Sequence, residues 1–399
     1  MDAAAAFDPW SPEFVADPYP AYAELRAAGP AHWYGPTRQW LIPRHEDVSA
    51  LLRDRRLGRT YTHRFTHEEF GREAPDPRHE PFHTLNDHGL LDLEGADHTR
   101  IRRLVSKAFT PRTVERLAPT VRGLADGLVG ELVAAGGGDL QAAVAEPLPV
   151  AVIAAMLGVP EEAEERAMLR PWSAAICGMF ELNPSEETAR AAVRASIEFS
   201  GYLRELIARR RAEPGEDLVS ALIGVEELTE QEMVSTCVLL LNAGHEATVN
   251  TTVGGVWTLL RHGAWDALPA PELSTAVDEL LRYDTPLHLF ERWVLDDIEV
   301  GGTVVPRGSE VALLLGSANR DPARFGPTAD ALDLTRADNP HVTFGAGIHY
   351  CLGAPLARLE LAAVFDALLR RAPGLRLAAD PVRKPGYVIR GFESLLVEV

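Results

Sequence analysis

Cysteine is scarce in this chain: only Cys177, Cys237 and Cys351 occur among 399 residues. A scattered, odd-numbered set argues against a disulfide framework and fits a reducing compartment, so any special cysteine must be special on its own. Long apolar runs are missing as well. No segment approaches the ~20 residues that cross a bilayer, and the amino-terminal MDAAAAFDPW lacks the basic start and apolar core of a secretory signal. A cytoplasmic location without membrane attachment is expected. Positive charge is deficient, with 39 Lys and Arg against 58 Asp and Glu and a net charge of -19. Such a surface repels nucleic acid and anionic membrane. Finally, no Gly/Ser-rich or Pro-rich linker and no repeat of solenoid period divides the chain, so one domain over residues 1–399 is the simplest organisation.

What is present is ordinary globular composition, 46% hydrophobic and 24% charged, enough for a large core. Against the acidic background, Arg100, Arg102, Arg103, Lys107, Arg112 and Arg116 form a basic run. On composition alone it reads as a solvated helix face first and as a landing site for an acidic partner second.

Periodicity predicts a helix over 17–28, strand material over 32–43, and an irregular segment over 60–97 of the kind that forms functional loops. Residues 98–224 are repeatedly helical, broken at Gly136 to Asp139, near Pro160, at Asn183-Pro184 and at Pro214-Gly215. The longest helix runs from Thr229 to His262 and, at about 1.5 Å per residue, crosses a domain of this size. Further helices are expected from Pro271 to Tyr283 and Pro355 to Arg371, with a strand and hairpin over 298–315 and short strands after Leu375. The expected class is mainly α with minor β at both ends.

Two stretches carry chemistry. In the long helix, apolar Val238 to Leu241 gives way to Asn242-Ala243-Gly244-His245-Glu246-Ala247-Thr248-Val249-Asn250. Gly244 costs about 1 kcal/mol of helix propensity against Ala and a buried Glu246 costs more unless partnered, so this face is expected to lie against something. The second stretch, Phe344-Gly345-Ala346-Gly347-Ile348-His349-Tyr350-Cys351-Leu352-Gly353, runs directly into a helix. A thiolate at Cys351 faces the helix amino end, where backbone N–H groups and the dipole favour negative sulfur. Phe344 can cover whatever the sulfur binds, and His349 can donate to an anion at the rim. Taken alone, the loop also reads as a buried structural cysteine in a tight turn. No second Cys or His pair stands at zinc spacing, and Gly345-Ala346-Gly347 does not continue into a dinucleotide fingerprint.

The ten-residue loop resembles the haem-binding signature of the cytochrome P-450 family, matching at Phe344, Gly345, Gly347, His349, Cys351 and Gly353. Three more segments match in the family's order: His98-Thr99-Arg100-Ile101-Arg102, Ala243-Gly244-His245-Glu246, and Glu279-Leu280-Leu281-Arg282. The resemblance spans essentially the whole chain and implies a single-domain P-450 fold with the long central helix over the haem. Cys351 is then the proximal ligand to iron. His98, Arg102, Arg292 and His349 hold the carboxylates of haem b (iron protoporphyrin IX), Phe344, Gly345, Gly353 and Ala243 border it, and Glu279 with Arg282 forms a buried structural pair. The implied reaction is insertion of one oxygen atom of O2 into a hydrophobic molecule, by hydroxylation or epoxidation in bacterial secondary metabolism. With no flavin domain or iron–sulfur cysteine set in the chain, electrons come from a separate ferredoxin or flavodoxin with its NAD(P)H reductase, docking at Arg100, Arg103, Lys107 and Arg112. Phe180, Leu239, Leu289, Phe290 and Phe392 are expected to line the pocket.

One position departs from the family pattern. An acid followed by threonine is usual; here Glu246 is followed by Ala247. A methyl group neither donates a proton nor holds water, and Thr248 lies about 100° further round the helix. Substrate or water is expected to complete the relay, with Glu246 as acid and Thr248 as helper, or Ala247 simply makes room for a bulky substrate. Peroxide-driven oxidation, oxidative coupling, and haem-dependent ligand binding without turnover are the rival readings.

Overall fold

A computed structural model describes residues 3–160, 164–268 and 273–399, so the expected helix start at Pro271 lies outside the described residues. The helices that place the site are α1 (Tyr19–Ala28), α2 (Glu80–Asp87), α3 (Gly95–Val105), α4 (Pro111–Ala134), α5 (Pro147–Leu157), α6 (Leu169–Cys177), α7 (Glu186–Ala212), α8 (Glu230–Arg261), α9 (Leu273–Tyr283) and α10 (Ala354–Arg371). The strands are β1 (His32–Tyr34), β2 (Gln39–Ile42), β3 (Leu57–Gly58), β4 (Gly137–Asp139), β5 (Phe290–Val294), β6 (Ile298–Val300), β7 (Thr303–Val305), β8 (Glu310–Leu313), β9 (Arg376–Leu377) and β10 (Leu396–Glu398). Helix predominates, as composition and period predict.

The long helix α8 is fixed at its start by a capping box. Thr229 Oγ1 accepts from the Glu232 backbone N–H at 3.2 Å while the Glu232 carboxylate accepts from the Thr229 N–H at 2.8 Å. These bonds satisfy donors that every helix start leaves free. Its faces are buried along nearly the whole length, packed against α5, α6, α7 and α10. The most extensive helix contact pairs α4 with α10, which carries the chain out of the Cys351 loop.

One sheet runs β1-β2-β8-β5-β3, with β2 and β8 parallel and the other neighbours antiparallel. A second, β4-β10-β9, joins the Gly136 to Asp139 break to the carboxyl end, with Asp139 opposite Leu396. That break is therefore a turn that continues into a strand. The segment over 60–97 also contains α2, eight residues long and burying only Phe82 and Leu85, too short for its period to stand out among the surrounding Pro, His and Asp.

Two apolar cores meet at the Cys351 loop. Val342 and Ala346 belong to the core that backs the five-stranded sheet, while Phe344 and Leu352 pack against the helical core. Alternate residues of one loop thus close the seam between sheet and helices, which fixes Cys351 from both sides.

Candidate active site

Glycine dictates the shape of the Cys351 loop. Gly345 and Gly347 adopt φ of +67° and +69°, and a Cβ on Gly347 would stand 2.5 Å from the Leu52 carbonyl oxygen. Only glycine fits there. The Cys351 N–H donates to the Phe344 carbonyl at 2.9 Å, closing the loop on itself. Its sulfur receives the backbone N–H groups of Gly353 and Ala354 and faces Arg102 and Arg358. Burial pushes the thiol up, and these donors and cations pull it back. Cys177 and Cys237 are also buried, and burial pushes the Cys177 thiol well above its ordinary range and the Cys237 thiol up to about 12. Of the three cysteines, Cys351 alone has two backbone donors and two cations at its sulfur. Phe344 is held beneath the Arg358 guanidinium, 4.5 Å from the ring centre, and Arg358 is in turn bonded to Asp278 at 2.7 Å.

On the rim, buried Arg292 and part-buried Arg59 stand beside His98, His349 and Arg102, with Glu94 and Asp92 as the acids among them. Arg292 is 5% exposed and its one side-chain bond goes to the neighbouring Glu291 carbonyl, at 2.8 Å. Burial, reinforced by Arg59, pulls it down to about 9. His98 is 2% exposed with its Nε2 unpartnered, and burial with the nearby His349 and Arg102 brings it down to about 4. The His98 and His349 rings lie 4.6 Å apart. His349 Nε2 is 3.0 Å from Glu94, and Arg102 donates to the Tyr350 carbonyl at 2.6 Å. A buried guanidinium facing like charge, beside an orphaned imidazole, calls for an anion, and the two carboxylates of a haem provide it. The residues present fit that group.

Arg59 and Glu94 belong to this rim and were not read from the sequence. Arg59 pairs with Asp92 at 3.1 Å and reaches the Glu291 carbonyl, while its backbone N–H donates to Glu94 at 2.7 Å. Burial alone would raise Glu94, but the bonds from His349 and Arg59 bring it below the usual range. Neither residue lies in a motif; Glu94 just precedes α3, and only that position hints at it.

Along α8, Gly244 packs closely, since a Cβ there would meet the Ile153 side chain at 3.3 Å. Glu246 is bridged by Lys384 at 3.6 Å and by His245 Nδ1 at 3.6 Å. Ala247 and Thr248 offer their carbonyls to the hydroxyls of Thr251 and Thr252, at 2.7 and 2.9 Å. These bonds bend polar groups along the helix backbone at the level where the motif departs from its family.

Glu279 and Arg282 are both fully buried. Arg282 donates twice to Glu279, at 2.7 and 2.8 Å, and to the carbonyls of Asn319, Ala329 and Ala331. Phe180 and Leu239 line a cleft over α8 with Leu85, Leu91, Val238 and Asn242. The other three pocket candidates are not among the residues that line this cleft. Leu289 packs into the amino-terminal core with Phe7, Tyr22 and Tyr387, Phe290 lies against Gly345, and Phe392 sits under Trp257 and Arg383. A wider depression lined by Phe7, Asp8, Trp33 and Tyr34 contains none of the candidate residues. In the basic run, Arg100 bonds Glu232 and Asp97, and Arg103 approaches Glu227 at 3.6 Å, so part of its charge is internally neutralised.

Known proteins resemble the chain over nearly its full length. The family model described as Cytochrome P450 matches residues 270–372. Cytochrome P450 monooxygenase PikC of Streptomyces venezuelae is 39% identical, covering 96% of this chain and 91% of that protein. Nocardicin C N-oxygenase of Nocardia uniformis subsp. tsuyamanensis is 41% identical, covering 94% of each. Among solved structures, P450BioI in complex with acyl carrier protein ligated to hexadec-9Z-enoic acid superimposes with a TM-score of 0.90 at 33% identity, over 98% of this chain and 100% of that one. Myxobacterial CYP267B1 in complex with myristic acid gives 0.87 at 38% identity, over 98% of each chain. With the fold, the glycine-shaped cysteine loop and these relatives in agreement, the chain belongs to the cytochrome P450 family and is a haem-dependent monooxygenase.

Proposed function

We propose that residues 1–399 form one cytoplasmic oxygenase unit carrying haem b, with Cys351 as its thiolate ligand. It would hydroxylate or epoxidise a hydrophobic small molecule in bacterial secondary metabolism, using electrons from a ferredoxin or flavodoxin and its NAD(P)H reductase. The observation that carries this reading is the Cys351 sulfur itself, met by two backbone donors at the start of α10, with Arg102 and Arg358 favouring its thiolate electrostatically. When bound, the haem supplies reductive activation of O2, with thiolate donation favouring O–O cleavage.

The chain's own residues do the rest. Arg292 and Arg102 would neutralise the haem carboxylates, with His98 and His349 as hydrogen-bond partners, and Phe344 with the positive-φ glycines would shield the sulfur from water. Phe180, Leu239 and Leu91 over α8 would form an apolar wall for the hydrophobic molecule. Glu246 holds the proton that the reaction consumes on the distal side. Because Ala247 brings no hydroxyl, a substrate hydroxyl or an ordered water, helped by Thr248, bridges from Glu246 to the reacting oxygen. The natural-product relatives, PikC and nocardicin C N-oxygenase, support this substrate class.

The decisive experiment is the carbon monoxide difference spectrum of the dithionite-reduced protein. A red-shifted Soret band is expected from the parent and its loss from Cys351→Ala; an unchanged band in the variant sinks the assignment. Ala247→Thr tests the relay. Coupling of NADPH use to product should rise with substrates lacking a suitably placed hydroxyl, and identical coupling with every substrate would count against the idea.

A further inference from the structure

A buried histidine beside the distal acid has no role in the reading above. His245 is 1% exposed, and neither ring nitrogen has a hydrogen-bond partner among the described residues. Burying an imidazole bare costs free energy, so such a group is retained for a reason or is met by water. Its Nδ1 stands 3.6 Å from Glu246 Oε1, slightly beyond hydrogen-bond range, a distance that a small side-chain rotation or one water closes.

Two carboxylates act on this ring electrostatically. Glu246 is the stronger, and Glu146, just before α5, is the second; Arg170 of α6 and Lys384 of the carboxyl-terminal segment oppose them. Glu146 is held by Arg170 at 2.7 Å and by Gln141 at 3.0 Å. The Arg170 side chain is 54% exposed while that of Glu146 is 9% exposed. Bonded groups therefore join the exposed Arg170 to the buried Glu146, whose charge acts on the ring, and the ring stands against Glu246.

From this arrangement we infer that His245 is a positioning and proton-passing residue, feeding Glu246 from the Glu146 side. The inference rests on the reading of Glu246 as distal acid. In each turnover Glu246 releases the proton of its carboxyl O–H toward the gap at Ala247 and is left as a carboxylate. Nε2 of His245 takes a proton from solvent by way of Glu146, giving the imidazolium. The Nδ1–H bond then breaks as an O–H bond forms on Glu246, leaving the neutral ring with its proton on Nε2, and a water-assisted shift of that proton to Nδ1 resets the ring for the next turnover. One solvent proton enters, one leaves for the substrate side, and no electrons move. Burial disfavours the imidazolium, so the charged ring is short-lived and protons do not accumulate there.

The test uses the haem-loaded protein with 15N-labelled histidine, in the diamagnetic reduced carbon monoxide complex, with His245→Gln assigning the ring signals. Glu246→Gln and Glu146→Gln should each lower the pH at which the ring takes up its proton, by about half a unit or more. A ring indifferent to Glu146→Gln overturns the inference. The second readout is NADPH-driven O2 consumption with a plant-type ferredoxin and its reductase, with myristic acid as probe. His245→Phe should raise the peroxide released per NADPH about fivefold or more, with haem content and the reduced carbon monoxide spectrum as in the parent. Unchanged peroxide release, or loss of haem in both His245→Phe and His245→Gln, overturns it. A parent protein without the thiolate spectrum would instead defeat the haem-thiolate reading.

Discussion

Glu360 shows how much one side chain can impose on the pH behaviour of the chain. It is 2% exposed on α10, with Oε1 unpartnered, and burial pushes its carboxyl up to about 8. Between the unfolded value of 4.5 and about 8, the folded chain keeps this proton and the unfolded chain does not. Stability contributed by that difference is present at low pH and is lost as pH rises through the window. Urea midpoints should therefore fall between pH 5.5 and 8.5 in the parent and fall less in Glu360→Gln; parallel curves would refute the burial argument. At the same scale, the sequence made Cys351, His98 and Arg292 legible because each sits in or near an ordered motif. Arg59 and Glu94 were not, because their place on the rim depends on β3 pairing with β5, a contact between residues 57–58 and 293–294. Nothing local in the sequence separates Leu289 and Phe392, which pack in the amino-terminal core and under Trp257, from Phe180 and Leu239 over α8.

Among the elements, the Cys351 loop and α8 were the most readable, since each is fixed by local chemistry. A cap at Thr229 and sustained apolar character give α8 its ends to within one residue of the expected 229–262. The strand at Gly137–Asp139 was not readable, because its partner lies beyond residue 395 and three glycines conceal any period. Glycine positions in the two readable elements differ in kind, and this gives a contrast to test. In Gly347→Ala the new Cβ meets backbone at positive φ, so a loss of about 1–3 kcal/mol is expected, with weaker haem retention. In Gly244→Ala the neighbour is the flexible end of Ile153, and a helix-propensity gain of about 1 kcal/mol offsets the crowding. Thermal unfolding of the two holoproteins should separate them clearly, and equal losses would place the glycine requirement in the wrong element.

At the scale of the whole molecule, helices and sheet are two cores joined along one loop, with the family's order of motifs running from α3 to α10. No helix among the described residues is long and apolar enough to cross a membrane. The net charge of -19 gives any electron donor that lands on this surface a reason to seek the local cations. With Arg100 and Arg103 engaged by acids, Lys107, Arg112 and Arg116 are left as the better candidates for that contact. The buried Arg292 and His98 at the rim have a further meaning for biogenesis. Haem carboxylates would give both groups partners in the folded chain alone, so the pigment would act as a folding ligand. Stripping it should lower the melting temperature by several degrees or more, and the yield of soluble protein in a producing cell should track the supply of tetrapyrrole precursor.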